Sequence, residues 1–227
     1  MLHGIALWPD SGLDEEANYR RGYAAAYADA KKYKGKFRYY EPSNELDNWT
    51  GVLGDGGSRI QYNPLRYARA RGFIKGLIEG IHDADPAAKV IIDDAGWCHY
   101  GFLNALWDDG VRWDITAFHW YSDQGSIEKS GCRNANVAAI HAAFGRPVWI
   151  TEFNLRSSLS RDDPIARSTW ITQFVAQVRA VAPRYNIQAA FVYELLDEPS
   201  AKGGEAFYGI FDKDGYAKAD WRAIFVR

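Results

Sequence analysis

Short apolar runs, separated by longer stretches of helical spacing, mark the chain from end to end. Residues 3–8 (HGIALW, closed by Pro9), 37–40 (FRYY), 89–94 (KVIIDD), 113–121 (WDITAFHWY), 148–151 (VWIT) and 187–193 (IQAAFVY) each read as a strand. Between them, residues 14–34, 64–83, 101–109, 136–144 and 165–181 read as helices, and a turn at Asp214-Gly215 precedes a short final helix around Trp221. Asp14 supplies the first N-cap, Glu15 and Glu16 complement the dipole, and Gly35 stops the helix after Lys31, Lys32 and Lys34. Pro64 suits the first turn of the next helix. Residues 50–63, 122–134 and 155–163 read as loops. Strands that are near-continuously apolar, alternate with helices and carry no hairpin signal predict a parallel sheet with crossover helices. Six strands are expected, in a single domain over residues 1–227, because no linker or low-complexity stretch divides the chain.

Composition narrows the function. The net charge of -2, with acids and bases interspersed, leaves no electrostatic footprint for nucleic acid or an anionic membrane. No apolar run reaches the ~18 residues of a membrane span. Met1-Leu2-His3 opens directly into a strand-like segment, with no basic n-region or cleavage site, so an intracellular chain and one whose leader was removed are both open. Nine Trp, 14 Tyr and 11 Phe make 15% of the residues, enough for a ring-rich core and for ring faces lining a carbohydrate cleft. Cys98 and Cys132 lack the paired spacing of a zinc site; a disulfide and two free thiols both remain open.

The candidate chemistry gathers at strand ends. In FRYYEPSNELD, Pro42 cannot donate to a central ladder, so the strand ends there and Asn44-Glu45 falls on the lip of the sheet. A second lip, PVWITEFN, carries Glu152. Two carboxylates at the mouths of parallel strands are what glycoside hydrolysis needs, one as acid/base and one as nucleophile. His119 and Tyr121 alternate onto one side of their strand. Asp93 and Asp94 end another, one facing inward or capping a helix. Trp8, Trp97 and Trp120 sit at strand ends, for sugar stacking or for packing, and Trp49 lies just past Glu45. His119 has no partner at a metal-ligand spacing, and nothing calls for a cofactor.

The order of YYEPSNELDNW, FHWYS, PVWITEFN and FVYELLDEP resembles the fourth, sixth, seventh and eighth strand segments of the (β/α)₈ glycoside hydrolases of clan A, with the closer likeness to family thirty-nine and family-five-type enzymes. YGIFDKDGYAKADWRAI resembles the tail after the eighth strand. The resemblance implies an α/β fold, an incomplete (β/α)₈ TIM-type barrel of about six parallel strands, and a retaining β-glycosidase acting on a polysaccharide or oligosaccharide. It implies Glu45 as a general acid/base with a raised pKa and Glu152 as an ionised nucleophile. Asn44 would hold the sugar 2-hydroxyl, Tyr121 would bond the nucleophile, and His119 would position the pair. Tyr193 followed by Glu194 replaces the aromatic platform that ends the family's eighth strand, and remains on the substrate-binding side. Aligned this way, the chain begins at the third strand, without the Arg that the family presents from its second. The open barrel would expose two sheet edges and an apolar inner face, so association of two or more copies is expected. The rival expectation is a carbohydrate-binding remnant that no longer turns over.

Overall fold

Each apolar run pairs with the next in space, and every such pairing is parallel. The computed structural model describes residues 2–5, 7–156, 163–219 and 221. Its elements are β1 (Leu2–Gly4), α1 (Glu15–Lys32), β2 (Tyr39–Glu41), α2 (Leu46–Trp49), α3 (Pro64–Ala84), β3 (Lys89–Ile92), α4 (Tyr100–Asp108), β4 (Ile115–Tyr121), β5 (Gly125–Ser126), β6 (Lys129–Ser130), α5 (Val137–Ala142), β7 (Val148–Asn154), α6 (Pro164–Tyr185) and β8 (Ile187–Val192). The six-stranded sheet runs β1-β2-β3-β4-β7-β8 and curls into a half-barrel, the expected incomplete TIM-type barrel. The helix expected around Trp221 and most of the 155–163 loop lie outside the described residues.

Three differences from the expected elements have local causes. A short helix, α2, begins directly after Glu45, which bends the chain by adopting a left-handed conformation (φ 47°). The 122–134 loop contains a two-residue antiparallel ladder between β5 and β6. Helix α6 continues past Pro183 to Tyr185 and is closed by Asn186 in the left-handed region, a residue that tolerates it.

The curl brings distant strands together across the inner face. Tyr39 of β2 meets Trp149 of β7 with ring centroids 4.7 Å apart, and Trp149 meets Phe191 of β8 at 5.6 Å. Ile91, Ile115 and Ala117 complete this inner layer, which is apolar below and becomes polar toward the C-terminal ends of the strands. The outer face packs on the helices in two clusters, one around Phe73, Leu77 and Val90, the other around Phe118, Ile150 and Phe174. Helix α3 approaches α1 closely because Gly72, Gly76 and Gly80 share a face at four-residue spacing. A Cβ on them would run into the carbonyl oxygens of Glu15, Tyr19 and Tyr23 respectively. Cys98 and Cys132 form a disulfide, which ties the loop after β3 to the segment after β6. No helix among the described residues is long and apolar enough to cross a membrane.

Candidate active site

Strand ends β2, β3, β4 and β7 converge on one imidazole. His119 is buried on the inner side of β4, and its Nδ1–H donates to Glu45 Oε1 at 2.8 Å. The same nitrogen lies 3.4 Å from Glu152 Oε2, and Nε2 lies 3.2 Å from Asp93 Oδ2. A register shift makes this possible. Phe118 pairs with Ile150, but His119 pairs with Glu152, so Thr151 is the extra residue that moves Glu152 alongside the imidazole. Oxygens of Glu45 and Glu152 lie within 4.8 Å of each other and of His119. Tyr121 OH donates to Glu152 Oε2 at 2.7 Å, and Asn48 Nδ2 donates to Glu45 Oε2 at 2.9 Å. The backbone N–H of Glu45 donates to Asp93 Oδ2 at 3.3 Å.

The charges follow from this geometry. Burial works against a charged His119, yet hydrogen bonds to Asp93 and Glu45 and the charges of the neighbouring carboxylates hold it well above the ordinary imidazole range. Burial pushes the Glu45 carboxyl up, but His119, Asn48 and the Arg156 charge outweigh it and bring Glu45 below its usual value. Burial likewise raises Glu152, and here the His119 charge and the Tyr121 hydrogen bond do not cancel it, so Glu152 sits above its usual value. Glu45 was expected to be raised, and it is instead Glu152 that is raised while Glu45 is lowered. The reason is that His119 points its proton at Glu45. Behind them, burial and then the Asp93 charge push Glu41 up to about 8. Two trios, Glu41-Asp93-His119 and Glu45-His119-Glu152, are close enough to hold a cation. Both share His119, and a protonated imidazole facing a carboxylate through each nitrogen accounts for the arrangement.

The other expected residues divide. Asn44 is half-buried beside Glu45 at the lip. Trp97 is half-buried on the loop after β3 and lines a cavity with Glu45. Tyr193 is half-buried at the end of β8, its ring 5.9 Å from that of Tyr208. Trp8 is 45% exposed beyond β1, where its carbonyl accepts from Arg21. Trp120 is corrected: it is fully buried on the helix side, donating Nε1–H to Gly125 O at 2.9 Å, and has no face open to a sugar. Glu194 follows Tyr193 at the end of β8. It lines an apolar cavity of about 520 Å³ beside β8 with Phe174 and Val178, and the charge of Glu152 helps to raise its carboxyl. Asp93 is the inward member of its pair; Asp94 is buried the other way, bonded to His141 Nε2 at 2.9 Å.

Sequence reasoning missed Glu41, Asp47, Asn48, His99 and Arg156. Asn48 gave no signal, because the short helix that turns it toward Glu45 follows from the left-handed Glu45 and from no helical pattern. Glu41 had one, because its alternation matches Tyr39 on the inner face. Asp47 and His99 are far apart in sequence and gave none.

A family profile described as "Glycosyl hydrolase catalytic core" matches residues 87–214, which is 128 of the 227 residues. The chain belongs to the glycosyl hydrolase catalytic core family. The matched span carries His119, Tyr121 and Glu152, whereas Glu45 lies upstream of it. No curated protein matches this glycosyl hydrolase core in sequence. Its fold is similar to the GH53 catalytic domain of Ignisphaera aggregans, with a TM-score of 0.67 and 15% identity over 99% of this chain and 72% of that one. It is also similar to the native xylanase 10B of Thermotoga maritima (TM-score 0.64, 20% identity, 93% and 66% of the two chains). A psychrophilic family 10 endo-β-1,4-xylanase gives a TM-score of 0.68 at 17% identity over 99% and 76%. At such identities these likenesses concern the fold.

Proposed function

We propose that this glycosyl hydrolase core is a retaining β-glycosidase of the clan A type, related to families thirty-nine and five, acting on a polysaccharide or oligosaccharide through Glu45 and Glu152. The observation that carries the reading is the pair of carboxylates meeting at one imidazole, with oxygens within 4.8 Å. Retaining enzymes keep their carboxyl groups ~5 Å apart, whereas inverting ones leave room for a water between them. Glu152 attacks the anomeric carbon while Glu45 gives a proton to the departing oxygen; water, deprotonated by Glu45, then releases the sugar. In this reading His119 turns its proton toward Glu152 as Glu45 takes one up. The 3.4 Å and 2.8 Å separations from the same Nδ1 support that exchange. In this reading Asn44, half-buried next to Glu45, holds the sugar 2-hydroxyl, and Tyr121 holds the Glu152 oxygen.

Residues 1–227 act in this reading as one catalytic domain. Its open sheet edges, β1 and β8, are covered by a second copy. Aryl β-glycosides of glucose, xylose, mannose, galactose and arabinose test the activity: Glu45→Ala and Glu152→Ala should each lower turnover about 10²–10⁴-fold or more. The six-stranded sheet, short of a closed barrel, favours one second reading, a carbohydrate-binding remnant. Sugar binding without turnover on any of the five would select it.

A further inference from the structure

A cavity of about 500 Å³ opens beside Glu45, within the size range of small-molecule sites. Asn48, Trp97, His99, Arg156 and Asp55 line it together with Glu45, whereas Asp47, Glu152 and Tyr121 do not. In a retaining displacement the group next to the acid/base is the departing sugar. An indole face beside amide, guanidinium and carboxylate groups suits a neutral ring bearing hydroxyls.

Trp97 occupies this wall in a left-handed conformation (φ 53°), which strains a non-glycine residue and persists only where the surroundings enforce it. They do so from three sides. Trp97 N–H donates to Gln124 Oε1 at 3.0 Å, and Gln124 Nε2 donates to Ala95 O at 3.2 Å. The Cys98–Cys132 disulfide holds the next residue. On the third side stands Asp47, fully buried on α2 two residues after Glu45. Its Oδ2 accepts from Ala95 N–H at 3.2 Å and from His99 Nδ1–H, so one carboxylate grips both ends of the 95–99 loop. A buried ion pair is a poor source of net stability but a good source of fixed geometry.

We infer that Asp47 and His99 are positioning residues whose buried pair locks the 95–99 loop to the turn carrying Glu45 and so sets Trp97 as the platform for the departing, neutral sugar unit. The inference rests on the retaining reading above and goes beyond it to the leaving-group side. That side is read by transfer. A 2,4-dinitrophenyl glycoside loads Glu152 and releases its phenolate without needing a proton. A neutral sugar acceptor in the cavity then competes with water: its hydroxyl oxygen bonds the anomeric carbon as the bond to Glu152 breaks, and its proton passes to Glu45.

The experiment measures the ratio of transfer to hydrolysis products at fixed methyl β-xyloside or methyl β-glucoside, for wild type, Asp47→Asn, His99→Gln and Trp97→Ala. Circular dichroism establishes which variants are folded. A merely structural role would alter the rate of phenolate release and leave the partition ratio alone. The ratio should fall at least tenfold in all three variants, and His99→Gln and Trp97→Ala carry the test if Asp47→Asn does not fold. A ratio equal to wild type in folded variants overturns the inference, as does a wild type that never transfers to either acceptor. Absence of phenolate release from the wild type overturns the retaining reading itself, and is seen before any acceptor is added.

Discussion

His119 decides the chemistry at the scale of single residues, because three carboxylates compete for its two protons. Glu45 takes the shorter contact, at 2.8 Å, and is held low; Glu152, at 3.4 Å, is left high by burial. Replacing His119 by Asn removes the charge that lowers Glu45, so that carboxyl should titrate at higher pH than in wild type when followed by carbon NMR. An unchanged titration would show that Asn48 and Arg156 alone set it. Glu41 gives a stability prediction with a definite sign. Its carboxyl is raised to about 8 in the folded chain, above the ~4.3 of an unfolded Glu. The folded state therefore favours the protonated form. That contribution is complete below about pH 4 and is lost as pH rises through about 8. Glu41→Gln should match wild type below pH 4 and become the more stable of the two above pH 8, by about 1 kcal/mol or more, in urea titrations across that range. A wild type that stays level from pH 5 to 9 would contradict the assignment. The existence of a carboxylate pair was legible in Asn44-Glu45 and Thr151-Glu152, but the protonation order was not. It depends on whether a nitrogen sits 2.8 or 3.4 Å away, and on a one-residue register shift at Thr151 that no periodicity announces.

Among the elements, the strands were the most legible because each lies in a near-continuous apolar run, and the central β4 and β7 are buried on both faces. The weak spots were the turns. Helix α2 follows from Glu45 adopting φ 47°, which nothing in SNELD requires, and it is this helix that brings Asn48 onto Glu45 and Asp47 under the 95–99 loop. Trp120 was misplaced because being near a strand end says nothing about which face a side chain takes. The α1–α3 contact yields a prediction that pits two effects against each other. Gly76→Ala gains about 1 kcal/mol of helix propensity. Its Cβ, however, would strike the Tyr19 carbonyl, and backbone on both sides leaves little room to yield, so overpacking of about 1–3 kcal/mol or more should win. Net destabilisation on urea melting is expected; a more stable variant would mean that the two helices can part without loss. Asp109 adds a surface counterpart. Burial acts to raise it, but Arg59, Arg71 and Tyr67 bring it down to about 2. Its contribution is thus present above about pH 4 and fades as pH falls toward 2.

As a whole molecule, this glycosyl hydrolase core is a half-barrel whose sheet ends at β1 and β8. The Tyr39–Trp149–Phe191 contacts fill the inner face with the chain's own rings, but they do not cover the edges, which remain templates for pairing. Light scattering at micromolar concentration should therefore give a mass above the 25.6 kDa of one chain. A mass of one chain would mean that the edges are protected by their shortness. Either way, the cleft is assembled within a single chain, from the ends of β2, β3, β4 and β7, and its proposed chemistry stands or falls there. The most direct test is covalent capture with 2,4-dinitrophenyl 2-deoxy-2-fluoro-β-glycosides of glucose, xylose and mannose, followed by mass spectrometry of the digested protein. The retaining account predicts one fluorosugar per chain, attached to the peptide bearing Glu152 and absent in Glu152→Ala. A label on Glu45 would reverse the two roles, and no covalent label with any of the three sugars, while they still bind, would contradict the account.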